Sequence, residues 1–166
     1  MYVANSEPAI WHRGEDRAVV AMFYDIPSRC GARCAESKLH DMHAGYKTAL
    51  NLLLTILSGV NYISYAAGEH ESALSISYEK LVIDNEIIGS TKQAARGIEV
   101  TSESIALEVI KGVGWGENFL SESHTLQYLR DEIFHTKNAT THTYEVWKEK
   151  GRKDTQERQK EKVNKS

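Results

Sequence analysis

One stretch limits the architectures open to this chain more than any other. Val60–Tyr65 (VNYISY) carries β-branched and aromatic residues directly after a helix stop at Gly59, and reads as a strand. Only Ser28–Ala32 and Gly97–Val100 offer further, weaker strand segments; nearly every other periodic segment is helical. A lone strand cannot pair its own N–H and C=O groups. A strand bracketed by helices implies parallel neighbours, and those neighbours are mostly missing from these 166 residues. Two architectures remain: a helical fold with a rudimentary sheet, or one part of a larger α/β barrel.

The helices have readable ends. A first helix spans Gly14–Tyr24, with Ala18, Val19, Met22 and Phe23 on one face, and Ile26-Pro27 ends it. Asp41–Ser58 is the strongest helix: Asp41 suits the N-cap and Gly59 the left-handed C′ position. Its leucines cover more than one face, which predicts burial on two sides. Ala66-Ala67-Gly68 ends the strand with small residues that allow close backbone approach. Helices follow at Ser75–Ser90, at Ser102–Lys111 with Thr101 as cap and Gly112 past the end, and from Ser121 with the stripe Leu126, Leu129 and Ile133. The last pair, Thr143–Lys150 and Asp154–Val163, is separated by Gly151, and Asp154 and Glu157 have capping-box spacing.

Composition excludes several classes. With 41% hydrophobic and 26% charged residues, most of the chain is expected to be ordered. The most apolar window, Ala49–Leu57, is about half of the ~20 residues that cross a bilayer, so no membrane partner is expected. Met1–Ile10 lacks a basic flank and carries Glu7 and Pro8, unlike a signal peptide. Two cysteines make no disulfide framework, and a cytoplasmic setting is expected. The net charge of −3 argues against nucleic acid as partner. Lys148–Ser166 alone carries +4, leaving −7 on the rest; acids interleave the basic residues, as on a solvated terminal helix.

Four constellations bear on chemistry. Cys30, Cys34, His40 and His43 are suitable zinc ligands, but their spacing is too short for a finger, and the plainer reading is buried thiols and polar histidines. Gly112-Val-Gly-Trp-Gly116 follows a helix rather than a strand and lacks the lysine of a phosphate loop; it reads as a helix stop and tight connection. Glu36, Lys38, Asp41 and His43 crowd the junction between a weak strand and a long helix, where α/β folds place their sites; on spacing alone they read as a capped helix start. Tyr65, followed by Ala-Ala-Gly and then Glu69, His70 and Glu71, stands where a strand end meets ligand. A tyrosine beside carboxylates can hold a methylated ammonium by cation–π and Coulomb attraction, although core packing is the commoner role of a tyrosine.

In order, the segments Glu7-Pro8, Tyr24-Asp-Ile-Pro27, Glu36-Ser-Lys38 to Tyr46 (ESKLHDMHAGY), Ser58-Gly-Val-Asn61, Ala67-Gly68 and Ser77–Asp84 (SYEKLVID) resemble the C-terminal part of the trimethylamine methyltransferase family, the corrinoid-dependent enzymes of methylamine metabolism. Arg96-Gly-Ile98, Val113-Gly-Trp-Gly, Asn118-Phe-Leu120, His124-Thr125, and Tyr144-Glu with Trp147 and Gly151 continue the resemblance along nearly the whole chain. His40, His43, Lys47, Trp115 and Ser72-Ala73 depart from it, where the family pattern leads one to expect proline, glutamine, glutamate, proline and glycines.

The resemblance implies an α/β fold: the helix-rich C-terminal portion of a TIM (β/α)8 barrel, incomplete on its own, since a full barrel takes ~250 residues. Residues 1–140 would be partial barrel and 141–166 a polar helical tail. It implies transfer of a methyl group from trimethylamine, or from a related quaternary amine as in the pyrrolysine-free glycine betaine branch, to the cobalt of a corrinoid (cobalamin) carried by a cognate partner protein. No cofactor would be bound by this chain directly, and the full-length protein is expected to be a homo-oligomer that includes the N-terminal part of the same barrel. Glu36, Lys38, Asp41, Tyr65 and Glu69 are the expected substrate-binding residues, with no metal among them. Trimethylamine-specific members imply a pyrrolysine from an in-frame amber codon. A chain that opens in mid-barrel is the expected product of such a codon read as a stop, which the DNA upstream of Met1 tests. The readings outside the family are a small Cys/His metal-binding module and a helical interaction protein acting through its basic tail.

Overall fold

The computed structural model describes residues 18–32 and 35–165. It is an α/β structure, rich in helix, with two small sheets. The described residues divide into two units. The first runs up to Ala95 and resumes at Thr136; the second is Arg96–His135.

In the first unit, helix α1 (residues 18–23) stops ahead of Ile26-Pro27, as the proline predicts. It buries Ala18 and Ala21, whereas Val19, Met22 and Phe23 of the predicted apolar face are exposed. The Gly14–Arg17 part of the predicted helix lies outside the described residues. Strand β1 (Arg29–Gly31) pairs in parallel with β2 (Tyr62–Ser64), Cys30 opposite Ile63. Their crossover is helix α2 (Met42–Leu57), so the sequence folds as a β-α-β unit. Asn61 pins the start of the pair: its Oδ1 accepts from the Ser28 N–H at 2.8 Å.

Helix α2 is capped as expected. The Asp41 carboxylate accepts from the Ala44 N–H at 3.0 Å, and Gly59 follows the helix at φ +76°. Its burial differs from expectation. The covered stripe is Ala44, Lys47, Thr48, Asn51, Leu52 and Thr55, a mostly polar set at helical spacing. Met42, Tyr46 and Leu57 are exposed. The leucine content therefore exceeds what this chain covers by itself.

After β2 the backbone is unusual. Tyr65 takes φ +53°, and Glu71, Ser72 and Ala73 take +49°, +59° and +75° within a 3-10 turn joining the short antiparallel strands β3 (Glu69–His70) and β4 (Ser75–Ile76). The predicted helix start at Ser75 is thus a strand. Helix α3 (Tyr78–Arg96) begins later than predicted, because Ser77 caps it: its Oγ accepts from the Lys80 N–H at 3.2 Å; it also runs further than predicted, to Arg96. Left-handed conformations disfavour residues with a Cβ by roughly 1–2 kcal/mol each. Ala73→Gly is therefore expected to raise stability by about 1 kcal/mol, read as a higher urea midpoint; an unchanged or lower midpoint contradicts the strain.

The second unit holds helices α4 (Ser102–Ile105), α5 (Leu107–Val113) and α6 (Ser123–Glu132), preceded by residues 97–100 without regular structure. Thr101 and Ser104 form a reciprocal capping box. The predicted single helix over Ser102–Lys111 is broken by Ala106 at φ +53°, and Gly112 lies inside α5 rather than past its end. None of the three helices buries a residue, and Trp115, between Gly114 and Gly116, is fully exposed.

Helices α7 (Tyr144–Glu149) and α8 (Thr155–Val163) return to the first unit. Asp154 and Glu157 make the predicted capping box, with the Glu157 N–H donating to Asp154 at 2.8 Å. The three backbone N–H groups of Lys137, Asn138 and Ala139 converge on the Glu86 carboxylate at 2.7, 2.6 and 3.1 Å, which fastens the loop before α7 to α3. No described helix is long and apolar enough to cross a membrane.

Candidate functional site at the strand ends

Because β1 and β2 are parallel, the segments that leave them emerge at the same end of the pair. Among the described residues these are 32, 35–41 and 65–77. They meet at Ser37, whose carbonyl accepts from the Glu71 N–H at 3.3 Å and from His70 Nδ1 at 3.1 Å.

Around that junction the structure builds a polar network. Ser77 Oγ donates to Glu79 at 2.8 Å. Its one proton is then used, so at 2.6 Å from His40 Nε2 it accepts, which places the His40 proton on Nε2. His40 Nδ1 in turn faces Gln156 Nε2 at 3.4 Å. The His40 and His70 rings pack edge to face, 4.8 Å between centroids. Donating from Nδ1 leaves His70 Nε2 as a lone pair, and this buried atom has no hydrogen-bond partner among the described residues. Burial, then the neighbouring His40 and Lys80, hold His70 below its ordinary value of 6.5. The Ser77 hydroxyl holds Glu79 below the usual carboxylate range.

Beneath the network lies a buried ion pair one helical turn apart, Lys80 with Asp84. Lys80 Nζ also donates to Thr48 Oγ1 at 3.0 Å, and Asp84 Oδ2 accepts from the Gly68 N–H at 2.8 Å. The pair thereby ties α2, α3 and the turn after β2 together. Gly68 fits there because its φ is +81° and the space a Cβ would enter is lined by Leu81 and the Ser77 carbonyl.

The expected site residues fall into this frame unequally. Glu36 accepts from the buried Lys47 Nζ at 3.0 Å. Lys38 is exposed and donates to the Glu36 carbonyl at 2.8 Å. Asp41 acts as the cap of α2 and also accepts from Ser37 Oγ at 2.9 Å; both bonds keep its carboxyl below the ordinary range. Glu69 lies on β3, next to His70. Tyr65 stands at the end of β2, where the Arg29 guanidinium sits 5.7 Å from the Tyr62 ring and 5.8 Å from the Tyr65 ring. The Ser37–His70 contact thus brings the Glu36–Asp41 and Glu69–Glu71 segments together.

Residues 9–166 match the trimethylamine methyltransferase (MTTB) family. The chain belongs to that family. It is 39% identical over 137 residues to a trimethylamine methyltransferase of Methanosarcina barkeri, covering 82% of this chain and 27% of the relative. A trimethylamine methyltransferase of Desulfitobacterium hafniense is 36% identical over 141 residues, 85% of this chain and 28% of the relative. A glycine betaine methyltransferase of the same species is 33% identical over 130 residues, 78% of this chain and 27% of the relative. The chain thus spans little more than a quarter of the length of the curated relatives it matches.

Within this family chain, the sequence reading missed the partnership of His40, Ser77 and Glu79, and the buried Lys80–Asp84 pair. The i, i+4 spacing of Lys80 and Asp84 was a legible signal for the second. Nothing local marked the first, since His40 and Ser77 are 37 positions apart. The zinc constellation is not assembled by its described members. Cys30 contacts the Gly31 carbonyl, His40 is held by Ser77, and His43 packs on Tyr46; Cys34 lies outside the described residues. Among the described residues no cluster of three or more His, Cys, Asp or Glu side chains suits a metal.

Proposed function

We propose that this chain is the C-terminal portion of a TIM-barrel methyltransferase that moves a methyl group from trimethylamine, or a related quaternary amine, to the cobalt of a separate corrinoid protein. The observation that carries the reading is the parallel β-α-β unit with carboxylate-rich segments at the ends of both strands. Barrel enzymes place their sites at that end, and the family membership supports the same chemistry.

The physical logic is charge. A neutral amine leaves badly, whereas a quaternised or protonated nitrogen departs as a neutral amine. The barrel's task is to hold that cation and aim one methyl group at the acceptor. Glu69 and Glu36, the latter already paired with Lys47, bring carboxylates to the strand ends, and Tyr65 brings a ring that Arg29 also faces. Glycine betaine in place of trimethylamine would need a further cation for its carboxylate, and the exposed Arg29, 5.8 Å from the Tyr65 ring, is the candidate.

Incompleteness is part of the reading. Among the described residues the parallel sheet has two strands with no strand beside either outer edge, and α2 leaves Met42, Tyr46 and Leu57 exposed. Open edges favour self-association. The test is to express the chain alone and joined to the barrel portion that precedes the matching region in a relative. Methyl transfer from trimethylamine or glycine betaine to a corrinoid protein is then followed by visible absorbance. Alone, the chain is expected to self-associate and to be inactive; completed, it is expected to be monodisperse and active. Glu69→Gln in the completed protein is expected to raise KM about tenfold, the loss of one cation contact of ~1.4 kcal/mol. A well-folded completed protein without transfer from either amine would overturn the activity, and a cooperatively melting monomer of the chain alone would overturn the incompleteness.

A further inference from the structure

A cleft of about 410 Å³ opens in the C-terminal segment, between the loop Thr136–His142 and residues of α7, α8 and their connection. That volume lies within the range of small-molecule sites, roughly 300–1,000 Å³. Its lining is strongly cationic: Lys137, Lys150, Lys153 and Arg158 against a single carboxylate, Glu161.

Among the described residues only one of these charges is compensated by a carboxylate. Lys153 is paired with Glu161. Among the described residues, Lys137, Lys150 and Arg158 have no carboxylate partner. Lys150 Nζ donates to His142 Nε2 at 2.8 Å. Arg158 donates through Nε to the Asn138 carbonyl, through Nη1 to the Lys153 carbonyl and through Nη2 to Thr155 Oγ1, at 3.1, 2.6 and 3.0 Å. Those uncharged acceptors use three of its five N–H groups and hold the guanidinium in place, so two donors and the full positive charge remain.

The walls are also set in advance. The Glu86 carboxylate fastens the backbone of Lys137–Ala139, and Asn138 Nδ2 donates to the Val82 carbonyl at 3.0 Å. Trp147 donates from Nε1 to the Lys153 carbonyl at 3.0 Å, which fixes its indole as a flat wall. A ligand entering such a site orders little of the protein. Three uncompensated cations repel a methylated ammonium, so this cleft and the strand-end site call for ligands of opposite charge.

We propose that the cleft is an anion site that takes the phosphate or carboxylate group of a small molecule on Lys137, Lys150 and Arg158. It goes beyond the methyl-transfer reading and does not depend on it. The test is calorimetric titration of inorganic phosphate, pyrophosphate and citrate at low salt, on the completed protein. No methyl transfer is read. At least one anion is expected to bind saturably with a Kd below about 1 mM. Lys150→Gln and Lys137→Gln are each expected to weaken it about fivefold, whereas Lys92→Gln, on the exposed face of α3, leaves it unchanged. Among the described residues the Lys137 ammonium makes no hydrogen bond, so its replacement separates lost affinity from lost structure. Absence of saturable binding, or equal weakening by Lys92→Gln, would overturn the proposal. Binding only to an acidic peptide would overturn it too, in favour of a protein partner.

Discussion

Asp84→Ala is expected to cost the first unit about 3–5 kcal/mol, a large share of the 5–15 kcal/mol that holds a typical domain. Asp84 and Lys80 are almost wholly buried, with side-chain exposures of 2% and 4%. Removing the carboxylate strands an ammonium away from water and also frees the Gly68 N–H, which Asp84 satisfies. Thr48 Oγ1 remains as a Lys80 partner but carries no charge to offset it. Urea unfolding followed by circular dichroism, on the completed protein, reads the effect as a lowered midpoint or a lost transition. The double replacement Lys80→Met with Asp84→Leu is expected to recover much of the loss, because both charges go together. A loss under about 1 kcal/mol for Asp84→Ala would mean that water reaches the pair.

Acid is expected to weaken the same unit through His70. Its folded form binds its proton less readily than the unfolded chain, whose histidine titrates near 6.5. The unfolded state therefore holds more protons over the window below 6.5, and stability falls as pH drops through it. One histidine sets an upper slope of about 1.4 kcal/mol per pH unit. Every group facing His70 bears on that slope. Lys80 and His40 disfavour its charge, while Asp84 and the Ser37 carbonyl favour it. His70→Asn keeps a donor toward the Ser37 carbonyl and removes the titration. Urea midpoints between pH 5 and 7.5 are expected to decline with acid in the wild type and to flatten in the variant. Parallel profiles would assign the decline elsewhere.

Much of the local structure was legible because it rests on contacts a few residues apart. The Asp41 cap, the Gly59 stop, the Asp154–Glu157 capping box and the proline after α1 each involve one side chain and the nearest backbone. A parallel neighbour for the strand after α2 was expected from the order of elements, but that Arg29–Gly31 supplies it was not. Where the reading failed, a neighbour distant in sequence or an unusual backbone was responsible. Ser75–Ile76 carries a helical pattern but pairs with Glu69–His70. Ala106 breaks a helix in a left-handed conformation that no glycine announced.

The candidate site shows the same division. Glu36, Asp41 and Glu69 were recognisable as polar residues at strand ends, yet their partners were not. Lys47 reaches Glu36 across eleven positions, and His70 meets Ser37 across 33.

What the sequence alone determined is family membership, the helical frame, the ends of its helices and the imbalance between many apolar residues and few strands. Each of these is a property of residue identity, spacing and order. Only the tertiary structure decided that α2 buries a polar stripe around Lys47, Thr48 and Asn51, that Lys80 and Asp84 lie in the interior, and that four cations share one cleft with a single carboxylate. Burial and electrostatic neighbourhood are sums over residues far apart along the chain, and local periodicity does not carry them.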